Sequence, residues 1–372
     1  MSQFGDLYAR MSNLTRLLNT QGPRSATQAI QEALTRAGLM SPTADASHAG
    51  DHASWPHAAP DHAEDVGNGA GTSSGRFVDG SYSNAAGTRR YKVYIPGSYA
   101  SQPMPLVVML HGCTQDPDDF ARGTQMNALA EEKGFLVVYP AQDASANSSK
   151  CWNWFNAIDQ QRGQGEPSLI AGITHAVIEQ YGIRRNEVFI AGLSAGGAMA
   201  VIMGNTYPDL YAAVGVHSGL PYASASDLQS ALSAMRGAAR RPAAGKTSGK
   251  NADAGLRAIP IIVFHGDRDT TVSPANGEGV IDDFLAGVER AAAKTPAHLS
   301  TLVEEGRIDG GHRYSRTSHH VDGQPVLAEH WLVHGAGHAW AGGSAHGSYT
   351  DAKGPDASRE MFRFFSTQAL RT

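Results

Sequence analysis

Apolar positions divide the chain into stretches of different rhythm. Near the N-terminus Phe4, Leu7, Met11, Leu14, Leu17 and Leu18 recur at helical spacing. A second short helix is predicted behind them, with Ser25 as N-cap, Gln28 completing a capping box and Gly38 as the stop. This helical segment, residues 1–38, is too small to build its own core and is expected to dock, on the rest of the chain or on a partner surface. Residues 39–75 carry no periodicity and are rich in Ala, Gly, Ser, Asp and His, the composition of a flexible linker. His48, His52, His57 and His62 lie in this tract, where no preformed geometry favours a metal over solvent.

From about Phe77 the rhythm becomes that of an α/β protein. Residues 91–95 alternate like a strand with one wet face. Runs at 106–110, 135–139, 188–191, 213–216 and 261–264 are continuously apolar, as in strands buried on both faces of a parallel sheet. Between them Met126–Lys133, 169–181 and Ala195–Thr206 have helical spacing. Alternating strands and helices predict an α/β fold, a doubly wound and mostly parallel sheet over residues 76–372. Residues 236–255, with Gly, Ala, Lys, Arg and Pro and few large apolar groups, read as a surface insertion.

Composition narrows this picture. The 372 residues are 41% hydrophobic and 17% charged, enough for one sizeable core plus an appendage. A formal charge of −5, a pI near 6.3 and the lack of any Lys/Arg run argue against a nucleic-acid partner. No stretch approaches the ~20 apolar residues of a membrane span. The N-terminus lacks the basic start and apolar run of a secretory signal. Cys113 and Cys151, the two cysteines, could form one bridge at most, so disulfides do not build the scaffold.

The chemistry concentrates where buried runs end. Residues 190–197 read as a strand, then Gly192-Leu193-Ser194-Ala195-Gly196, then a helix start of small residues. A serine on such a turn is a nucleophile candidate: Gly192 and Gly196 permit close backbone approach, and the helix N-terminus offers N–H groups to a developing oxyanion. Ala195 N–H is one predicted donor. The loop after the 106–110 strand, His111-Gly112-Cys113-Thr114-Gln115, supplies the second, from Cys113 N–H with Gly112 as the alternative. Where a serine on such a strand–turn–helix elbow is the nucleophile, the acid and the base are expected to follow it along the chain in that order. The polar loop after the 261–264 run holds Asp267 and Asp269; Asp269 reaches further past the strand and is the predicted acid, Asp267 a turn former. The base is predicted at His338, in a glycine-rich loop behind the strand-like 329–333, with His334 as runner-up. Trp152, Trp154, Tyr314, Trp331 and Trp340 are candidate walls for the acyl or aromatic part of a substrate, with core packing as the alternative.

Four motifs stand in order: LHGCTQ (110–115), CWNWF (151–155), GLSAGGAM (192–199) and HGAGHAWAGG (334–343). Together they resemble the poly(3-hydroxybutyrate) depolymerase family of esterases, related to feruloyl and acetylxylan esterases, over about residues 77–365. The resemblance implies the α/β-hydrolase fold and a Ser194–Asp269–His338 triad with an oxyanion donor at Cys113. It implies no cofactor and no metal, and an ester substrate, polymeric, oligomeric or small. It also implies that Cys113 pairs with Cys151, fixing the oxyanion loop against the Trp152/Trp154 segment. That bridge and the family suggest an extracellular setting, whereas the missing signal suggests a cytoplasmic one.

Overall fold

The computed structural model describes residues 75–238, 259–292, 299–321 and 324–370. The chain divides into two units, Met1–Ser73 and Ser74–Thr372, and every described element belongs to the second. The predicted helices of residues 1–38, the linker with its four histidines, and all but the first residues of the 236–255 insertion lie outside the described residues.

Strands β1 (Arg76–Asn84) and β2 (Gly87–Ile95) form a hairpin. Then come β3 (Leu106–Leu110), helices α1 (Pro117–Thr124) and α2 (Met126–Lys133), and β4 (Leu136–Pro140). Helix α3 (Gly165–Tyr181), β5 (Val188–Leu193), α4 (Ala195–Thr206) and β6 (Ala213–His217) follow. Next are α5 (Leu228–Ser233), β7 (Ile261–Gly266) and α6 (Ala275–Ala292). The chain closes with β8 (Leu299–Arg307), β9 (Arg313–Val321), β10 (Val326–His334), the short β11 (Trp340–Ala341) and β12 (Thr350–Asp351), and α7 (Ala357–Phe365).

Ten strands make one sheet in the order β1-β2-β4-β3-β5-β6-β7-β10-β9-β8. From β4 to β10 every neighbouring pair is parallel, and antiparallel strands flank both sides. This is the α/β-hydrolase arrangement expected from the sequence. Every residue of β3, β4, β5, β6 and β7 is buried, as continuous apolar runs require of a sheet covered on both faces. Alternate side chains feed two cores. Leu106, Val108, Ile190, Val214 and Val263 meet α3, α4 and α6 on one face. Val107, Met109, Phe189, Ile262 and Phe264 meet α1, α2 and α7 on the other. Helix α2 stops at Gly134, whose φ of 73° suits a residue without Cβ. The predicted 135–139 strand therefore begins one residue late, at Leu136.

Because β3, β5, β6, β7 and β10 run parallel, their carboxyl ends lie along one rim. His111, Ser194, His217, Asp267 and His334 all stand at or just beyond those ends. The rim is where the chemistry gathers.

Candidate active site

Ser194 links β5 to α4 with φ 56° and ψ −118°, a region that residues with a side chain rarely occupy. The close approaches around it explain the flanking glycines. A Cβ at Gly192 would meet the backbone of Gly196 and Leu110 O, and one at Gly196 would meet the backbone oxygens of Leu110 and His111. The elbow is therefore pressed against the end of β3. Ala195, the first residue of α4, has an N–H that the helix leaves unsatisfied.

Asp269 and His338 meet: His338 Nδ1–H donates to Asp269 Oδ2 at 2.7 Å. Asp269 is buried, and its Oδ1 accepts the N–H groups of Thr271 and Val272, each at 2.9 Å. His265 Nε2 lies 3.4 Å from Oδ2 while donating to Val272 O at 2.9 Å. Burial alone pushes the Asp269 carboxyl up, but the hydrogen bonds from His265 and His338, the His338 charge and the Val272 N–H hold it well below the usual carboxylate range. A permanently ionised Asp269 keeps the proton of neutral His338 on Nδ1 and leaves Nε2 as the basic nitrogen. Among the described residues no hydrogen bond joins Ser194 Oγ to His338.

A residue not singled out by sequence, His217, connects the two halves. Its backbone oxygen accepts Ser194 N–H at 2.9 Å, and its Nε2 accepts Ala341 N–H at 3.0 Å. The ring is stacked between Phe264 and Trp340. Desolvation pulls its pKa down to about 3, so Nε2 stays an acceptor through neutral pH. The signal was a polar residue closing a buried apolar run, the same signal that marked His111.

On the other side of the serine, Cys113 and Cys151 are bridged, with Cα atoms 4.2 Å apart. Gly112 N–H is already committed to Gln115 Oε1 at 2.9 Å, which removes the alternative oxyanion donor considered from sequence. Cys113 N–H has no acceptor among the described residues. His111 donates from Nδ1 to Gly112 O and accepts Gln142 N–H on Nε2, and burial lowers its pKa to about 4. Gln142 in turn donates to Cys151 O and to Glu166. Glu166 also accepts from Asn153 N and Nδ2, and desolvation, then the Asp159 charge, raise its pKa to about 7. A cavity of about 420 Å³ beside Glu166, Asp159 and Arg89 contains none of the triad candidates.

The predicted substrate walls need correcting. Trp152, Trp331 and Trp340 are 0%, 3% and 0% exposed and belong to the two cores, so they present no surface to a ligand. Trp340 packs on Phe120 and His217 with its N–H on Ser358 Oγ, and Trp331 gives its N–H to Glu329. Trp154 is also buried, against Phe155. Tyr314 keeps partial exposure but packs at a tilt against Trp331, on the sheet face away from α6. The runners-up Asp267 and His334 bond to each other, His334 Nδ1 to Asp267 Oδ2 at 3.0 Å. Among the described residues no cluster suits a metal ion, and no helix is long and apolar enough to cross a membrane.

Comparisons with known proteins agree with this architecture. Residues 89–298 match the family model described as Esterase PHB depolymerase. Poly(3-hydroxyalkanoate) depolymerase C from Paucimonas lemoignei is 37% identical over 183 residues, 48% of this chain and 44% of that protein. Acetylxylan esterase A from Talaromyces purpureogenus is 33% identical over 208 residues, 54% of this chain and 53% of that protein. The chain thus spans about half the length of the curated relatives it matches. An acetyl xylan esterase structure from Aspergillus awamori shares the fold, with a TM-score of 0.54 at 22% identity over 75% of this chain and 94% of that one. The family model covers more than half of the sequence, and on that match the chain belongs to the esterase PHB depolymerase family.

Proposed function

We propose that this chain hydrolyses carboxylic esters through an acyl-enzyme on Ser194, with His338 as base and Asp269 as the acid that orients it. The observation that carries the reading is a strained, glycine-flanked Ser194 at the same rim as the Asp269–His338 hydrogen bond, with His217 accepting both Ser194 N–H and the N–H of Ala341 in the loop that carries His338. His338 Nε2 takes the Ser194 proton as Oγ attacks the ester carbonyl, and the alcohol leaves with that proton. Water then attacks the acyl-enzyme with His338 as base, the acyl carbon–Oγ bond breaks, and the imidazolium returns the proton to Ser194 Oγ as the carboxylic acid leaves. The oxyanion of each step is held by the N–H groups of Ala195 and Cys113. Losing one such donor typically costs about 2.7–4 kcal/mol of transition-state stabilisation. The disulfide and the His111–Gln142–Glu166 chain support the Cys113 loop from behind.

The substrate class follows the relatives' names: poly- or oligo-(3-hydroxyalkanoate) esters first, with acetylxylan- or feruloyl-type esters as the second reading. Ser194→Ala tests the mechanism on p-nitrophenyl butyrate, where kcat should drop by about 10⁴-fold or more; turnover equal to the parent's ends the assignment. Product analysis on hydroxybutyrate oligomers, acetylated xylan and methyl ferulate separates the substrate classes, and preferential release of acetate or ferulate overturns the first.

A further inference from the structure

Ser315, His334 and Asp267 are hydrogen bonded in series at the same rim. Ser315 Oγ lies 2.8 Å from His334 Nε2, and His334 Nδ1 lies 3.0 Å from Asp267 Oδ2. Asp267 is held in turn by Gly335 N–H on Oδ1 at 2.7 Å. The direction of the chain follows from its acid end. A carboxylate only accepts, so the neutral imidazole carries its proton on Nδ1 and exposes the Nε2 lone pair to the Ser315 hydroxyl. The Asp267 side chain is 35% exposed and the imidazole 34%, so reagents in solution reach the group. We propose that Ser315 is a second acylation site, a hydroxyl that takes the acyl group of activated carboxylic esters with His334 as its base.

In the step the Ser315 Oγ–H proton passes to His334 Nε2 while an Oγ–acyl carbon bond forms. The ester C–O bond breaks, and the departing phenolate or alkoxide takes up a proton from the imidazolium or from water. Ser315 differs from Ser194 in its backbone. It lies inside β9, paired with Glu305 of β8 and Leu332 of β10, rather than at the first turn of a helix as Ser194 does. Oxyanion stabilisation is therefore weak, acylation is slow, and the serine ester accumulates instead of turning over.

The test uses the full chain carrying Ser194→Ala, so its outcome does not depend on the role of Ser194. The protein is incubated with p-nitrophenyl acetate, and acetyl groups are located by peptide mass mapping. The expected result is acetylation of Ser315, abolished by adding Ser315→Ala and slowed roughly 10²-fold by adding His334→Gln, the scale of a lost general base. An unmodified Ser315, or an unchanged labelling rate after His334→Gln, overturns the proposal. If the His334→Gln chain loses its cooperative melting, Asp267→Asn replaces it: this leaves the imidazole in place, and the rate should still fall; labelling at the parent rate is equally fatal.

Discussion

Two aspartate–histidine pairs lie within a few residues of each other, Asp269 with His338 and Asp267 with His334, and their hydrogen bonds differ little in length, 2.7 and 3.0 Å. Their surroundings differ far more. The Asp269 and His338 side chains are 0% and 11% exposed, whereas Asp267 and His334 are each about one-third exposed. Both pairs arise from one contact, the lacing of the loop after β7 onto the loop after β10. Arg268 N–H donates to Ala336 O, Asp267 N–H to Val333 O, and a Cβ at Gly266 would strike the Ala336 carbonyl. What separates the pairs is the dielectric around them and what the second imidazole nitrogen faces. His334 Nε2 is engaged by Ser315 in the middle of a strand; His338 Nε2 has no protein partner among the described residues and lies in the loop tied through His217 to the Ser194 elbow. The hydrogen bonds alone do not tell the two pairs apart; burial and neighbours do.

The sharpest way to break this comparison is to remove each carboxylate separately. Asp269→Asn should lower kcat about 10⁴-fold, the loss typical of the orienting acid in a Ser-His-Asp set, while Asp267→Asn leaves esterase turnover within a few-fold of the parent. Steady-state kinetics on p-nitrophenyl butyrate decide, and reversed effects would transfer the role to Asp267.

The disulfide holds the opposite side of the serine and closes a 38-residue separation. Replacing both Cys113 and Cys151 by Ser should cost about 3–4 kcal/mol of unfolding free energy in the chain-entropy picture, measured by denaturant titration. The arrangement of Asp267 and His334 should be untouched.

His217→Leu removes the acceptor of Ala341 N–H within the buried pair's support and should cost about 1–3 kcal/mol, the penalty of a stranded buried donor. The pH dependence tests the same point. His217 has its pKa lowered from 6.5 to about 3, so its neutral form stabilises the fold fully above about pH 6.5, and that contribution is lost as pH falls towards 3. The variant should lose this part of the acid slope in thermal melts. Glu166 works in the other direction. Its pKa is raised from 4.5 to about 7, so its contribution is present below pH 4.5 and lost as pH rises through 7, and Glu166→Gln should flatten that limb.

The smallest effect belongs to the exposed pair. Asp267→Asn should change stability by only about 0–1 kcal/mol, and high salt should erase most of the difference. A loss as large as that of His217→Leu would show that exposure is a poor guide at this rim.

Much of the fold was legible because burial on both faces leaves an unmistakable trace. The five runs that became β3 to β7 were continuous blocks of apolar residues, and their ends marked His111, Ser194 and the Asp267–Asp269 loop. Strands β1, β8 and β9 left no such trace. In β8 nearly every residue is exposed, Leu302 and Val303 by 52% and 61%, so neither face imposes an alternation on the sequence. The aromatic residues misled for a related reason. Trp152, Trp331 and Trp340 stand beside candidate catalytic segments in the chain, but side-chain direction is set by strand register and loop packing, which turned them inward.

The amino-acid order by itself determined the alternation of strands and helices, the glycine-flanked serine turn and the order along the chain of Ser194, the Asp267–Asp269 loop and the His334–His338 loop. These are local matters of hydrophobic period and backbone freedom. Tertiary structure decided which of two aspartates meets which of two histidines, and that His217 joins the Ser194 elbow to the loop that carries His338. The aspartate–histidine choices depend on the distance between loops 67 and 69 residues apart and the His217 link on one 124 residues away, and the packing of β3, β5, β6, β7 and β10 side by side sets those distances.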